Sequence, residues 1–466
     1  MNLSSSSYYD VVVVGGGVVG LAVARAATLA GYKCALLERE AQLLHWASGS
    51  NSGIVCTGVD ATPGTLERAL IRDSISQIPY YLKAMGIPHR RCGSLVCQWP
   101  WDKSASADVG LDGVLEESHD AGDTHAKYLD ANQILAQEPH LNNDVQGAVY
   151  IPGEIIVDPW LFSISFAVQA RANGCVIHTN TEVDPRALTW DGEAWTVRVM
   201  RERATESPDK LRAKCMVCAT GLWAPEWEET LLENLRPSSA SNEGGKLKAA
   251  PRRGQYRIYQ TNSSIALQHP IQPVPTQFTK GIFVFPSLYQ QIVVGPTALD
   301  QASKSDRTLD EVVAKELDRH AQRILPGLNP DRHVIGEYVG IRPGTQHRDY
   351  QIRSHFSNKS LMAGPWITVA GIRSTGLTAS LGIGRHVTHL LEQILRDCGG
   401  DSSKEQQNTA SLEDSMQSRV VVPTLPPLAT MIEEFRQRGD GTVAIHGHTY
   451  RVTHPLTILG WTHASI

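Results

Sequence analysis

No apolar run in this chain of 466 residues reaches the ~18–20 residues that a helix needs to cross a bilayer, so no transmembrane segment is expected. There is no excess of positive charge either. The 43 Lys and Arg residues against 48 Asp and Glu leave a formal charge of -5, which offers little to a phosphate backbone, and nucleic acid is not an expected partner. Cysteine is sparse and unpatterned. The eight residues (Cys34, Cys56, Cys92, Cys97, Cys175, Cys215, Cys218 and Cys398) suggest neither a disulfide framework nor a metal site, and reduced thiols inside a cell are expected. Cys215 and Cys218 form a C-x-x-C, but they lie in an apolar run of strand length where a spacing of three places them on opposite faces. No second ligand pair follows, so no metal is expected. Missing too is a basic start with an apolar core behind Met1-Asn2-Leu3-Ser4. The compartment is read as intracellular, the cytoplasm ahead of the mitochondrion.

What is present is ordinary for a globular protein: 41% hydrophobic, 20% charged, and prolines spread along the chain, which excludes a disordered or fibrous class. The length exceeds the ~250–300 residues at which single cores stop growing, so about two domains are expected.

The first pattern that carries chemistry stands at the start. Tyr9 to Val14 is apolar and β-branched, as in a strand covered on both faces. It runs into Gly15-Gly16-Gly17-Val18-Val19-Gly20, and Leu21 to Ala30 follows with helical composition. Gly15 permits the tight turn, Gly17 admits a pyrophosphate to the backbone, and Gly20 lets helix and strand pack closely. Helix N–H groups then face the phosphates. A second strand, Lys33 to Leu37, ends at Glu38, where a carboxylate suits ribose hydroxyls and disfavours a 2′-phosphate. A ligand-free glycine loop would explain the turn but not the agreement of strand, spacing, helix and acid. The unit alone leaves FAD and NAD both open.

Three further segments bear on that choice: Ala47-Ser48-Gly49-Ser50-Asn51-Ser52-Gly53-Ile54-Val55-Cys56-Thr57-Gly58, Ala219-Thr220-Gly221, and Val369-Ala370-Gly371-Ile372-Arg373-Ser374-Thr375-Gly376-Leu377-Thr378-Ala379-Ser380. With them, residues 8–395 resemble the D-amino acid oxidase-like superfamily of FAD enzymes. Ser50-Asn51-Ser52-Gly53 and Pro251-Arg252-Arg253-Gly254-Gln255-Tyr256 are most similar to the FAD-dependent glycerol-3-phosphate and L-2-hydroxyglutarate dehydrogenases. Lys280 to Pro286, Val294 to Ala298 and Gly340 to Pro343 also fit.

The resemblance implies FAD as cofactor. It places Gly15, Gly17, Val18, Val19 and Gly20 at the phosphates and Glu38 with Arg39 at the adenosine end. Ser48, Ser50, Asn51, Ser52, Gly53, Val183, Thr220 and Gly221 would complete the cradle, with Gly371, Arg373, Thr375, Gly376, Leu377 and Thr378 at the flavin. Small and hydroxyl residues at 48–53 allow backbone and hydroxyl groups to approach a ring or phosphate without clash. The apolar periodicity after Thr375 reads as a helix start, whose free N–H groups suit the negative charge of a reduced flavin. An ordinary capped helix would look the same.

The implied fold is α/β: a Rossmann-like, GR2-type FAD-binding domain interleaved with a β-sheet-based α+β substrate domain. The cofactor domain would use 1–90, 145–225 and 335–398, and the substrate domain 91–144 and 226–334, with strands at Gln255 to Tyr259 and Gly281 to Val294. The implied activity is hydride transfer from a small anionic substrate, a hydroxy acid or a glycerol 3-phosphate-like molecule, to flavin N5. An amino acid or secondary amine is the alternative donor, and a non-catalytic flavin-binding subunit a further one. The electron acceptor would be oxygen, a quinone or another carrier.

For the chemistry, Arg342 in Gly-Ile-Arg-Pro would anchor a carboxylate or phosphate, since a planar guanidinium binds either in bidentate fashion. Tyr256 would place its hydroxyl over the substrate or stand as a half-buried strand tyrosine. Arg373 would face the flavin edge or the substrate. Alcohol oxidation also needs a base. The relatives carry His where this chain has Cys56, so His347, on the loop after Arg342, is the substitute candidate. Asp158 reads as a helix cap.

Residues 399–426, rich in Ser, Gln, Asp, Glu and Pro, read as a linker. In the extension 427–466, Ala429 to Arg438 suits a short helix and Thr442 to Trp461 a hairpin around His446-Gly447-His448, forming a packed or partner-binding tail.

Overall fold

The computed structural model describes residues 8–102, 110–200, 209–235, 245–261, 264–275, 281–356, 364–399 and 420–463. Most of the expected linker, 400–419, lies outside the described residues.

The nucleotide unit forms as its sequence requires. Strand Tyr8–Val14 leads into helix Val18–Leu29, and strand Cys34–Leu37 follows. The helix begins three residues before the alanine-rich stretch, so Val18 and Val19 form its first turn, with Gly17 as N-cap. The continuous apolar runs suit a sheet covered on both faces, and Val11, Val12, Val13, Leu36 and Leu37 are all fully buried. Tyr8–Val14 is the middle of a parallel array, flanked by Cys34–Leu37 and by Asp209–Cys218. Val176–His178 and Trp366–Ala370 extend it on either side, also in parallel. On Asp209–Cys218, Cys215 belongs to one core and Met216 to another, because alternate residues face opposite sides of the sheet.

A second sheet runs in the order Leu299–Asp300, Ala249–Gln260, Gln291–Gly295, Phe283–Pro286, Ile271–Pro273, Ser94–Gln98, Gly147–Ile151, Lys127–Asp130. Val334–Thr345 lies on Ala249–Gln260 in a long antiparallel pairing, with Tyr256 opposite Tyr338, Gly254 opposite Gly340 and Arg252 opposite Arg342. Helix Glu311–Ile324 covers this sheet with Val313, Leu317, Ala321 and Ile324, the spacing of one helical face. Gly147–Ile151 and Val334–Thr345, which the expected division at 145 and 335 gives to the cofactor domain, pair within the second sheet. A buried strand carries no mark in its sequence of which sheet it joins.

The tail is packed. Helix Leu428–Arg438 buries Met431, Ile432 and Phe435, and Trp461 is fully buried between Trp160 and Phe435. The expected hairpin over 442–461 is shorter, Thr442–Ile445 with His448–Arg451. Its second half is instead helix Pro455–His463, since Pro455 is preset for a first helical position.

Candidate active site

The parallel strands end together. Val14 is in register with Leu37 and with Cys218, so Gly15, Glu38 and Ala219 converge just past the carboxyl ends. There they line a cavity of about 500 Å³, whose wall also includes Ala370 and Gly371. This is the crevice in which open α/β sheets bind ligands.

The glycine turn is shaped by contacts that leave no room for side chains. Gly15 has φ +112°, and a Cβ there would lie 2.4 Å from the Ala219 carbonyl oxygen. A Cβ on Gly20 would lie 1.9 Å from the Gly15 oxygen, so that residue serves helix packing and is not part of the cavity wall. Gly16, which the motif leaves unassigned, donates its N–H to Glu38 Oε2 at 2.5 Å. Glu40 N–H holds the other oxygen at 2.8 Å. Burial raises the Glu38 carboxyl above the usual carboxylate range, against the lowering effect of these two donors.

The loop after Glu38 closes one side. Ser48 Oγ accepts from Val18 N–H at 2.9 Å, at the first turn of the helix. Asn51 Nδ2 donates to the Ser48 carbonyl at 2.9 Å, and both residues line the cavity. Ser50, Ser52 and Gly53 lie behind this wall: Ser50 is buried with its hydroxyl turned to the Trp46 carbonyl, Ser52 Oγ accepts from Ile54 N–H, and Gly53 packs on Val157. Val183, Thr220 and Gly221 are in the wall. At the rim, the Arg39 guanidinium lies 4.0 Å from the Trp223 ring centroid, and Arg307 sits over Trp46 at 4.8 Å. Neither tryptophan nor Arg307 is visible in the motif, since they come from three separate stretches.

Helix Gly376–Gly399 opens on the same cavity through Gly376 and Leu377, with Gly371 and Arg373 beside them. Thr375 and Thr378 face away from it. Thr375 Oγ1 bonds the Tyr350 hydroxyl at 2.6 Å and also Glu67, while Thr378 Oγ1 accepts from Cys56 N–H at 3.1 Å and lies 3.6 Å from the Cys56 sulfur.

The second sheet turns one face toward this loop. A Cβ on Gly340 would lie 2.7 Å from the Ser50 carbonyl, and the Tyr338 hydroxyl donates to the Asn51 carbonyl at 3.0 Å. Tyr256 stacks on Tyr338 at 4.4 Å, and burial pushes its phenol up to about 12, so it stays protonated at neutral pH. Arg342 reaches over Gly254, donating to the carbonyls of Thr297 (3.1 Å) and Arg253 (3.4 Å), and burial lowers its pKa. His347 is exposed beyond the end of the strand, outside the cavity. Asp158 caps helix Pro159–Ala172 by accepting from Leu161 N–H at 2.6 Å, as read. Among the described residues no group of three or more His, Cys, Asp or Glu side chains could hold a metal, and no helix is long and apolar enough to cross a membrane.

The donor set fits FAD: a turn bare of side chains where a pyrophosphate must approach, an acid at the second strand end, and two helix N-termini on one cavity. Fold and site thus define a dinucleotide-binding protein with a substrate sheet laid across the cofactor cleft. Residues 10–390 match the DAO family model, "FAD dependent oxidoreductase", and the chain belongs to that family. It is an enzyme that uses FAD. It is 26% identical over 393 residues to a glycerol 3-phosphate dehydrogenase of Caloramator mitchellensis (83% of this chain, 75% of that protein). It is 26% identical over 358 residues to a mitochondrial L-2-hydroxyglutarate dehydrogenase of Nematostella vectensis (75% and 74%). Among solved structures, the FAD-bound, dithionite-reduced L-alpha-glycerophosphate oxidase of Mycoplasma pneumoniae superposes with a TM-score of 0.70 at 26% identity, covering 83% of this chain and 95% of that one. A glycine oxidase of Geobacillus kaustophilus shares the fold at a TM-score of 0.67 and 20% identity, covering 83% and 95%.

Proposed function

We propose that this enzyme oxidises the CH–OH group of a small anionic substrate, a hydroxy acid or a glycerol 3-phosphate-like molecule, bound between the cofactor loop and the second sheet. One observation carries the reading. Arg342 is a half-buried guanidinium that forms no ion pair with a carboxylate among the described residues, on the sheet face turned toward Ser50 and Asn51. A partly desolvated charge held only by backbone carbonyls is incompletely neutralised, and a substrate carboxylate or phosphate would supply the missing countercharge. Beside it, the Tyr256 hydroxyl has no hydrogen bond among the described residues and is free to donate to a substrate oxygen. Arg252, opposite Arg342, is already paired with Asp300 at 3.5 Å, which leaves Arg342 as the anchor. The names of the relatives, glycerol 3-phosphate and L-2-hydroxyglutarate enzymes, support the same substrate class.

FAD, when bound, would supply the acceptor for the hydride of the substrate carbon, and the hydroxyl proton would leave to water. This chain's residues would bind the acid group at Arg342 and hold the oxygen at Tyr256, whose ring is fixed by stacking on Tyr338.

Cys56 favours a second reading. Its thiol stands beside Thr378 with no imidazole in its place, and His347 is exposed. An amine donor that arrives neutral needs no strong base, so an amino acid or secondary amine is the alternative. Anaerobic addition of hydroxy acids, glycerol phosphates, amino acids and N-methyl amines to the FAD-loaded protein separates the two. Loss of the oxidised flavin's visible absorbance with the alcohols supports the first reading; loss with the amines alone overturns it.

A further inference from the structure

The residues from 420 onward lie beyond the matched segment 10–390, yet they contact the loop that walls the cofactor cavity. His454 is fully buried. Leu456 N–H donates to its Nδ1 at 3.2 Å, so the ring proton is on Nε2, which donates to the Asn51 carbonyl at 3.0 Å. The neighbouring Thr453 hydroxyl donates to the Leu44 carbonyl at 3.3 Å, in the same loop. From Asn51 the contacts continue through the Ser48 carbonyl to Ser48 Oγ and the Val18 N–H at the helix start.

The position of His454 is itself determined by contacts away from the loop. Asp158, buried at the start of helix Pro159–Ala172, accepts from Thr457 Oγ1 at 3.1 Å and from the Tyr289 hydroxyl at 2.5 Å. Tyr289 in turn accepts from Trp461 Nε1 at 2.8 Å. Further along, the Tyr450 hydroxyl accepts from Arg171 at 3.2 Å. The tail is thus tied to the nucleotide domain and the second sheet at once, with one imidazole extended to the loop.

We propose that the C-terminal segment completes the cofactor site, and that His454 is a positioning residue that holds the loop of Ser48 and Asn51 in its FAD-binding conformation. The carbonyl of Asn51 is where three parts of the chain meet: the loop, Tyr338 of the second sheet and His454 of the tail. A tail that merely adds stability would not need a neutral, fully buried histidine aimed at that carbonyl.

The test compares three variants of the full chain by FAD titration of the apoprotein, the visible spectrum of the loaded protein and the melting temperature of the apoprotein. His454→Ala is expected to weaken FAD about tenfold, the effect of one lost buried hydrogen bond, and to change the flavin spectrum. His454→Gln, whose side-chain amide can donate in place of Nε2–H, is expected to restore both. Tyr450→Phe removes a tail contact remote from the loop and is expected to leave FAD binding unchanged. FAD binding by His454→Ala within about twofold of wild type overturns the proposal. So does equal weakening by Tyr450→Phe, or a failure of Gln to restore binding. If His454→Ala does not fold, Thr453→Val removes the adjacent contact with Leu44: weaker FAD binding supports the link, and unchanged binding overturns it.

Discussion

Arg342 donates to the Thr297 carbonyl at 3.1 Å and forms no ion pair among the described residues. Replacing Arg342 with Leu is expected to leave the melting temperature of the enzyme nearly unchanged, because a partly desolvated, unpaired charge is removed along with its two hydrogen bonds to carbonyls. The same change is expected to raise KM for the anionic substrate about 10- to 100-fold, since a hydrogen bond to a charged group contributes about 1.5–3 kcal/mol. Thermal melts and steady-state kinetics on one preparation check both halves.

Gly15 faces the Ala219 carbonyl with no space for a methyl group. Gly15→Ala is expected to fold with a melting temperature several degrees lower, a cost of about 1–3 kcal/mol for the strained turn, and to purify without flavin colour. A yellow, fully loaded Gly15→Ala protein would show that the turn does not hold the cofactor.

His347 is exposed beyond the strand end, so His347→Ala is expected to leave kcat/KM within about twofold of wild type. A loss of a hundredfold or more would show that the loop folds inward during turnover.

Most of the cofactor site was legible because it rests on local chemistry. Gly15, Gly17 and Glu38 lie within one short unit: Gly15 has no room for a Cβ against the Ala219 carbonyl, and the Glu38 carboxylate accepts from Gly16 N–H. The rim was not legible, because Trp46, Trp223 and Arg307 converge from stretches far apart in the chain. The same holds for Gly147–Ile151 and Val334–Thr345, whose apolar patterns show a strand but not its sheet. Thr375 and Thr378 sit on the expected helix start, yet helix geometry turns their hydroxyls toward Tyr350 and Cys56, away from the cavity. His446-Gly447-His448 drew attention to the hairpin turn, whereas the histidine that reaches the cofactor loop is His454, masked by a sequence with no motif around it.

His454 also sets a pH dependence. Burial lowers its pKa from the usual 6.5 to about 3. The unfolded chain therefore binds a proton that the folded chain excludes between those values, and stability is full above about 6.5 and lost as pH falls toward 3. Wild type is expected to lose up to about 1.4 kcal/mol per pH unit from this group across that window. In His454→Gln the fall in melting temperature between pH 6.5 and 4.5 is expected to be shallower; equal slopes would mean that the imidazole is not held neutral.

The central claim, that Arg342 anchors an anionic alcohol beside the flavin, is tested most directly by flavin reduction without oxygen, using substrates matched except for charge. Glycerol 3-phosphate and 2-hydroxyglutarate are compared with glycerol and an uncharged ester of the hydroxy acid, in wild type and Arg342→Leu. The expected result is that an anion bleaches the wild-type flavin far faster than its neutral counterpart, and that Arg342→Leu abolishes the advantage. Equal bleaching by charged and uncharged alcohols, or an advantage that survives in Arg342→Leu, would contradict it.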